Sequence, residues 1–132
     1  QDDKSLRLVS LNYFIKNRPS LGQLVLTGED FDMIHAGHIN FFKKGKSLGD
    51  TLVVHIRSQG KGLFSPRKRA ITLSAIKFID FVFISSGNFY DKEVLEKINP
   101  DTLLFYKEMF QEDIKNSLLG FPGKIVTVKK TF

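Results

Sequence analysis

Cysteine is absent from this chain of 132 residues, so it can form neither a disulfide framework nor a thiolate metal site. Long apolar runs are also missing, because no stretch approaches the roughly 18 residues that a membrane span needs. The first residues, QDDKSLRL, lack the basic and then apolar pattern of a signal peptide. These absences predict a cytoplasmic soluble protein without a membrane partner.

Acidic residues are outnumbered by basic ones. Twenty Lys and Arg residues stand against 14 Asp and Glu residues, which gives a formal net charge of +6. Such a balance favours an anionic partner, for example a nucleotide, a sugar phosphate or nucleic acid. Nucleic acid is the least favoured, because the chain has neither the aromatic signature of RNA-binding modules nor a recognisable helix-turn-helix. Solvated faces of small domains are often basic too, so charge alone leaves the function open.

The length predicts one domain over residues 1–132. Within it, apolar segments of strand length alternate with segments of helical period. The predicted strands cover residues 23–27, 51–56, 81–85, 102–106 and 124–128. The predicted helices cover residues 5–17, 36–49, 67–79, 91–98 and 110–119.

This alternation indicates the fold class. Continuous apolar strands joined by helices are typical of a parallel sheet that is covered on both faces. The predicted fold is therefore α/β, a Rossmann-like doubly wound sheet of about five parallel strands in three layers. The residues expected to face the core from the first three helices are Leu8, Leu11, Phe14, Ile15, Ile39, Phe42, Leu48, Ile71, Ala75 and Phe78.

Two histidines, His35 and His38, stand on either side of Gly37 where the first predicted strand gives way to a helix. In doubly wound sheets ligands bind at the carboxyl ends of the strands, so this turn is the first candidate site. A helix N-terminus attracts anions, and imidazoles one turn apart can donate hydrogen bonds to phosphoryl oxygens. Glycine lets a phosphate approach the main chain.

Two other interpretations of the histidine pair stay open. Metal binding is the first, although two histidines without a third ligand nearby make a poor zinc site, and no metal ligand is predicted. The second is a pair of incidental surface histidines.

The residues around the pair, FDMIHAGH, resemble the signature of the cytidylyltransferase-like nucleotidyltransferases. In that superfamily a strand is followed by G-x-F-D-x-x-H-x-G-H at the start of a helix. The matching residues are Phe31, Asp32, His35, Gly37 and His38.

The resemblance extends over residues 8–128. The segments LVSLNYF and INPDTLL look most like the branch of heptose-1-phosphate adenylyltransferases and glycerol-3-phosphate cytidylyltransferases. Further positions that match are Lys46, Leu48, Gly49, Asp50, Lys61, Gly62, Arg69 and Asp80.

The resemblance implies that a nucleoside monophosphate passes from ATP or CTP to a sugar phosphate or polyol phosphate, with release of pyrophosphate. It implies that His35 and His38 stabilise the α-phosphate and that Lys61 pairs with phosphates of the nucleotide or acceptor. Positioning and electrostatic stabilisation suffice for this chemistry, so no covalent intermediate is needed. The resemblance also implies Mg²⁺ held mainly by the triphosphate, and a homodimer.

Other positions carry roles that the resemblance implies. Arg69 would add positive charge near the site or at a subunit contact, and Asp32 would support the turn by bonding local backbone. The positions expected to contact nucleotide or phosphate are Asp30, Phe31, Gly37, Arg69 and Glu108.

The chain departs from the family pattern in four places. Glu29 and Asp30 replace a small pair, and each solvated like-charge contact with a triphosphate costs on the order of 1 kcal/mol. Residues 57–59 (RSQ) replace NSD, residues 106–108 (YKE) replace GGD, and the phosphate-binding ST motif is missing after VTVKKTF. These departures favour an alternative hypothesis, a catalytically impaired family member that binds a nucleotide or a protein partner without turnover.

Two polar residues are expected to be structural instead. His55 lies in an apolar strand, which predicts a core or sheet-edge position. Lys46 is expected to lie on the surface of its helix.

Overall fold

The structure, a computed structural model, describes residues 7–29, 36–58 and 65–130. Its strands are β1 (Leu24–Glu29), β2 (Thr51–Arg57), β3 (Phe81–Ser85), β4 (Thr102–Tyr106) and β5 (Lys124–Val128). Its α-helices are α1 (Asn12–Asn17), α2 (Ala36–Ser47), α3 (Pro66–Ser74), α4 (Lys92–Ile98) and α5 (Glu112–Ser117).

The strands form one parallel sheet in the order β3-β2-β1-β4-β5. The chain runs outward from β1 to β3 and then crosses to the other side of β1 for β4 and β5. The direction of winding therefore changes between β1 and β4, which makes this pair of strands the switch point of the sheet. The predicted Rossmann-like doubly wound fold is confirmed.

Both faces of the sheet are covered by helices and filled with apolar side chains. Every residue from Thr51 to Ile56 in β2 is buried, as expected for a strand with a helix layer on each side. One face carries a cluster that includes Phe41, Phe42, Ala70 and Leu73 of α2 and α3. The opposite face carries a cluster that includes Phe14, Val94, Ile98 and Ile114 of α1, α4 and α5.

Three aspartates fix the amino-terminal edge of the sheet. Each stands immediately before a strand, and its carboxylate accepts the main-chain N–H of a residue at the start of a neighbouring strand. The hydrogen bonds, each 2.8 Å long, run from Gln23, Leu52 and Leu24 to Asp50, Asp80 and Asp101 respectively. The edge opposite to the strand carboxyl ends is thereby held in register.

Lys46 belongs to this arrangement, so it does more than the predicted surface lysine. Its Nζ lies 2.8 Å from Oδ2 of Asp80 and donates to the carbonyl oxygen of Asp50 at 2.6 Å. The two charged side chains are 34% and 32% exposed. The pair connects the end of α2 to the start of β3.

The prediction of a leading helix over residues 5–17 is wrong for residues 7–11, and residues 5–6 lie outside the described residues. Helix α1 begins only at Asn12, and Leu8 forms a parallel bridge with Val82 of β3. Leu8 and Val9 pack against opposite faces of the sheet, which is the period of a strand. Main-chain pairing with Val82 covers an edge of β3 that would otherwise expose its hydrogen-bonding groups.

Three residues predicted to face the core, Ile15, Ile71 and Ala75, are exposed instead. Ile15 is 57% exposed and Ile71 is 54% exposed. Helix α3 ends before Ala75, so the stripe predicted through Ile71, Ala75 and Phe78 is not one helical face. Ala70, the residue before Ile71 in this helix, is completely buried.

Candidate active site

The crevice expected in a doubly wound sheet lies at the switch point, where β1 and β4 stop pairing towards their carboxyl ends. The two strands pair only over Val25–Leu26 and Thr102–Leu103. One residue further, the hydroxyl of Thr27 donates to the carbonyl oxygen of Leu104 at 2.7 Å, and this buried side-chain bond replaces the ladder. Ligands of doubly wound sheets bind in such a crevice.

Helix α2 follows β1, so its N-terminus lies at this edge of the sheet. The helix has 12 residues, and its first turn contains Gly37 and His38. His38 is only 5% exposed, which excludes an incidental surface histidine at this position. The N–H groups of the first turn and the buried imidazole together suit an anionic ligand.

Several predicted site residues lie outside the described residues, so their assignments stay predictions. They are Asp30, Phe31, Asp32, His35 and Lys61.

Arg69 lies in α3 and is 5% exposed. Its Nη2 donates a hydrogen bond of 2.9 Å to the main-chain carbonyl oxygen of Arg57, the last residue of β2. Ser65 caps the N-terminus of α3 by accepting from the N–H of Lys68 at 3.2 Å. This cap fixes the start of the helix and therefore the position of Arg69. The structure thus shows Arg69 fixing the end of β2, whereas phosphate binding by Arg69 stays a prediction.

Glu108 lies exposed in the turn that follows β4. Its Oε1 accepts the main-chain N–H of Lys130 at 3.2 Å. The main-chain N–H of Glu108 itself has the largest effect in lowering the pKa of this carboxyl, and the N–H and charge of Lys130 act in the same direction. Glu108 is therefore an ionised acceptor at the carboxyl end of β4, and nucleotide binding by it stays a prediction.

Tyr106 fills the α2 side of the crevice. Its ring is 7% exposed and stacks on the ring of Phe41 in α2, with the centroids 4.0 Å apart. Burial raises the pKa of Tyr106 to about 12, so the phenol is neutral. The sequence shows that residue 106 is a bulky tyrosine. It does not show that the ring stacks on Phe41, because Phe41 lies far away along the chain.

Gly28 is needed for packing on the opposite, α4 side of β1. A Cβ atom at this position would lie 2.4 Å from Cδ1 of Phe89. Phe89 is 4% exposed, and its ring packs against Phe105 of β4 at 5.0 Å between centroids. The crevice is therefore bordered by buried aromatic rings on both faces of the sheet.

His55 occupies the predicted core position and is 1% exposed. Its Nε2 lies 3.1 Å from the carbonyl oxygen of Ser85 and 2.8 Å from the hydroxyl of the same residue. Because a carbonyl oxygen can only accept, Nε2 carries the proton of a neutral ring. Burial lowers the pKa of His55 to about 4, which keeps the ring neutral at physiological pH.

Comparison with known protein families matches residues 26–129 to the family described as cytidylyltransferase-like. The chain belongs to this family. The resemblance drawn from the histidine turn is confirmed at this level.

Individual proteins that are similar to this chain are consistent with the family assignment. FAD synthase of Thermococcus onnurineus is 41% identical over 85 residues, which cover 58% of this chain and 57% of that protein. Bifunctional protein HldE of Desulfatibacillum aliphaticivorans is 34% identical over 90 residues, which cover 61% of this chain and 18% of that protein. The chain spans 57 to 63% of the length of three Thermococcus FAD synthases that it matches.

A solved structure agrees on the fold. The crystal structure of the lipopolysaccharide core biosynthesis protein from Thermoplasma volcanium has a TM-score of 0.71 at 27% identity. The match covers 84% of this chain and 99% of that one.

Neither a metal-binding cluster nor a membrane-spanning helix occurs in the described part of this cytidylyltransferase-like chain. Within the described ranges, no group of three or more His, Asp or Glu side chains could hold a metal ion. None of the helices formed by those residues is long and apolar enough to cross a bilayer.

A groove of about 630 Å³ lies apart from the crevice, between α4 and the connection from α5 to β5. It reaches Asn99 and Pro100, which precede β4, and therefore extends towards the amino-terminal edge of the sheet. Its main apolar lining residues are Tyr90, Leu95, Leu118, Phe121 and Pro122. The family's ligand site is expected at the opposite edge, so the crevice is the better candidate.

Proposed function

We propose that this chain is a nucleotidyltransferase that moves a nucleoside monophosphate from ATP or CTP to a phosphorylated small molecule and releases pyrophosphate. The observation that carries the proposal is the placement of Gly37 and the buried His38 in the first turn of α2, at the switch point of the sheet. Main-chain N–H groups at a helix N-terminus and an imidazole can stabilise negative charge that builds up on an α-phosphate.

The reaction is a substitution at the α-phosphorus. A phosphate oxygen of the acceptor forms a bond to this phosphorus, and the bond to the bridging oxygen of the β-phosphate breaks. Pyrophosphate leaves with the electron pair, and a new phosphoanhydride joins the two substrates. In this proposal His35 and His38 stabilise the α-phosphate and Lys61 pairs with substrate phosphates, without a covalent intermediate.

The acceptor is a phosphate monoester. The sequence resemblance favours a sugar phosphate or polyol phosphate. The relatives named FAD synthase add flavin mononucleotide to this class, because FAD consists of adenosine monophosphate joined to flavin mononucleotide. The same name favours ATP as the donor.

Mg²⁺ accompanies the nucleotide in this proposal and is held mainly by the triphosphate and water. Hard oxygen ligands of this kind suit the ion, and the described part of the chain offers no cluster of ligating side chains. A cytoplasmic homodimer stays a prediction from the sequence.

The test measures pyrophosphate release from ATP or CTP with Mg²⁺ and each acceptor in turn: flavin mononucleotide, glycerol 3-phosphate and a sugar 1-phosphate. We expect release with one acceptor, and a fall in kcat/KM of about 100-fold or more in His38→Ala, the size of losing one oxyanion donor. His55→Gln is the matched histidine control, since His55 lies in the core. No release with any acceptor would refute the proposal.

The second candidate function is nucleotide or protein binding without turnover. It is favoured by the Phe41–Tyr106 stack, which occupies space where the family has glycine. Its signature is calorimetric binding of ATP or CTP by a protein that releases no pyrophosphate with any acceptor.

A further inference from the structure

Arg57 stands at the carboxyl edge of the sheet, beside the candidate site. It is the last residue of β2, the strand next to β1, and it pairs with Ser85 of β3. Its side chain is half-buried. The resemblance places the asparagine of the family's NSD motif at this position, so Arg57 departs from that pattern.

The main chain of Arg57 is held in place on both sides. Its carbonyl oxygen accepts from Nη2 of the buried Arg69 at 2.9 Å. The N–H of the next residue, Ser58, donates to the carbonyl oxygen of Ser85 at 3.0 Å. The side chain therefore emerges from a fixed point, which is a requirement for a precise binding group.

The guanidinium of Arg57 has no protein partner within the described residues. No carboxylate there forms an ion pair with it, and its buried Nε has no hydrogen-bond acceptor. A buried N–H without a partner costs about 1–3 kcal/mol. A planar group with five donors matches the oxygens of a phosphate, which it can bind through two parallel hydrogen bonds.

The groups around the guanidinium leave its charge available. Burial lowers the pKa of His55, and the charge of Arg57 acts in the same direction, so the imidazole beside it is neutral. Burial raises the pKa of Tyr90, which keeps that phenol neutral, while Arg57 opposes the rise. The nearby carboxylate of Asp91 accepts the N–H of Asn88 at 2.8 Å. A phosphate that approaches Arg57 thus meets one cation and two neutral rings, with the carboxylate of Asp91 nearby.

We propose that Arg57 binds the phosphate of the acceptor and so makes the protein select a phosphorylated acceptor. The inference rests on the proposed function for its reaction. The proposed nucleotide site is the switch point between β1 and β4, whereas Arg57 lies on the far side of β1 from β4. Because the attacking and leaving oxygens stand in line on opposite sides of the α-phosphorus, the two substrates approach from different sides. The β2 side is then the side of the acceptor.

The experiment is calorimetric titration of the full chain with two pairs of compounds that differ by one phosphate. The pairs are flavin mononucleotide with riboflavin, and glycerol 3-phosphate with glycerol. Arg57→Ala is compared with Arg67→Ala, a control that removes an exposed arginine of α3. Arg57→Gln replaces the alanine variant if thermal unfolding shows that the latter does not fold.

We expect the wild-type protein to bind at least one phosphate ester about tenfold or more tightly than its dephosphorylated partner, a difference typical of a charge-assisted contact. Arg57→Ala should abolish this preference and leave the Kd for ATP unchanged, and Arg67→Ala should behave as the wild type. The inference is overturned if Arg57→Ala keeps the preference, if the wild type has none, or if ATP binding is lost instead.

Turnover separates this inference from the proposed function. In an active protein, Arg57→Ala should raise the KM for the acceptor without raising the KM for the nucleotide. An unchanged acceptor KM overturns the assignment of Arg57 alone. A wild-type protein that binds the ester through Arg57 but releases no pyrophosphate refutes the proposed function and leaves the Arg57 site standing.

Discussion

The rings of Phe41 and Tyr106 lie face to face, with 18° between their planes and 4.0 Å between their centroids. This contact joins α2, whose first turn is the candidate anion site, to the end of β4. Lys130 covers the ring of Tyr106 with its Nζ 5.4 Å from the centroid. Tyr106 replaces a glycine of the family pattern, and these contacts make its ring part of the packed fold.

Tyr106→Ala should destabilise the protein because it empties this buried position. We expect the free energy of unfolding to fall by about 3 kcal/mol, from lost burial and the lost ring stack. Urea unfolding followed by circular dichroism measures it. Met109→Ala, at a neighbouring residue that is 42% exposed, should stay within about 0.5 kcal/mol of the wild type. Equal effects of the two substitutions would contradict the role given to the stack.

Gly28→Ala should destabilise the protein by about 1–3 kcal/mol, because the new Cβ forces the ring of Phe89 to move. Gly120→Ala is the matched control, since a Cβ there meets no atom within 4 Å among the described residues. Phe89→Leu should reduce the additional cost of Gly28→Ala, and the non-additivity of the double variant measures the contact. If the two substitutions add, the clash is not the cause.

Asp80→Ala should cost more than Lys46→Ala. Both substitutions remove an ion pair between side chains that are 34% and 32% exposed, worth up to about 1 kcal/mol. Lys46→Ala also removes the exposed hydrogen bond to the carbonyl oxygen of Asp50, whereas Asp80→Ala takes the acceptor from the N–H of buried Leu52. We expect about 1–3 kcal/mol for the aspartate. Thermal or urea unfolding at low and high salt separates the two terms, since only the ion pair is screened. A cost for Lys46→Ala as large as for Asp80→Ala would show that the ion pair dominates.

Acid should destabilise the protein through His55. Its folded pKa of about 4 lies below the ordinary value of 6.5, so the unfolded chain binds the proton first as the pH falls. The stability from the neutral imidazole is therefore complete above pH 6.5 and is lost as the pH falls towards 4, by up to about 3 kcal/mol. Urea unfolding between pH 7 and 4 should show a shallower pH dependence in His55→Gln. An NMR titration that places the pKa of His55 near 6.5 would refute this prediction.

The order of elements could be read from the sequence because parallel strands buried on both faces are continuous apolar runs. The predicted bounds of β3, β4 and β5 agree with the structure. The histidine turn could also be predicted from the sequence, since its residues stand close together along the chain and match one motif. Family and fold class were therefore predictable without the structure.

Contacts between distant residues were decided only by the tertiary structure. Leu8 and Leu11 have the spacing of a helix, yet Leu8 pairs with β3 because that edge needs a main-chain partner. The guanidinium of Arg69 turns to the carbonyl oxygen of Arg57 and so fixes the point from which the Arg57 side chain emerges at the edge of the sheet. Periodicity reports which face of an element is apolar, whereas the partner of a polar group depends on which segments the fold brings together.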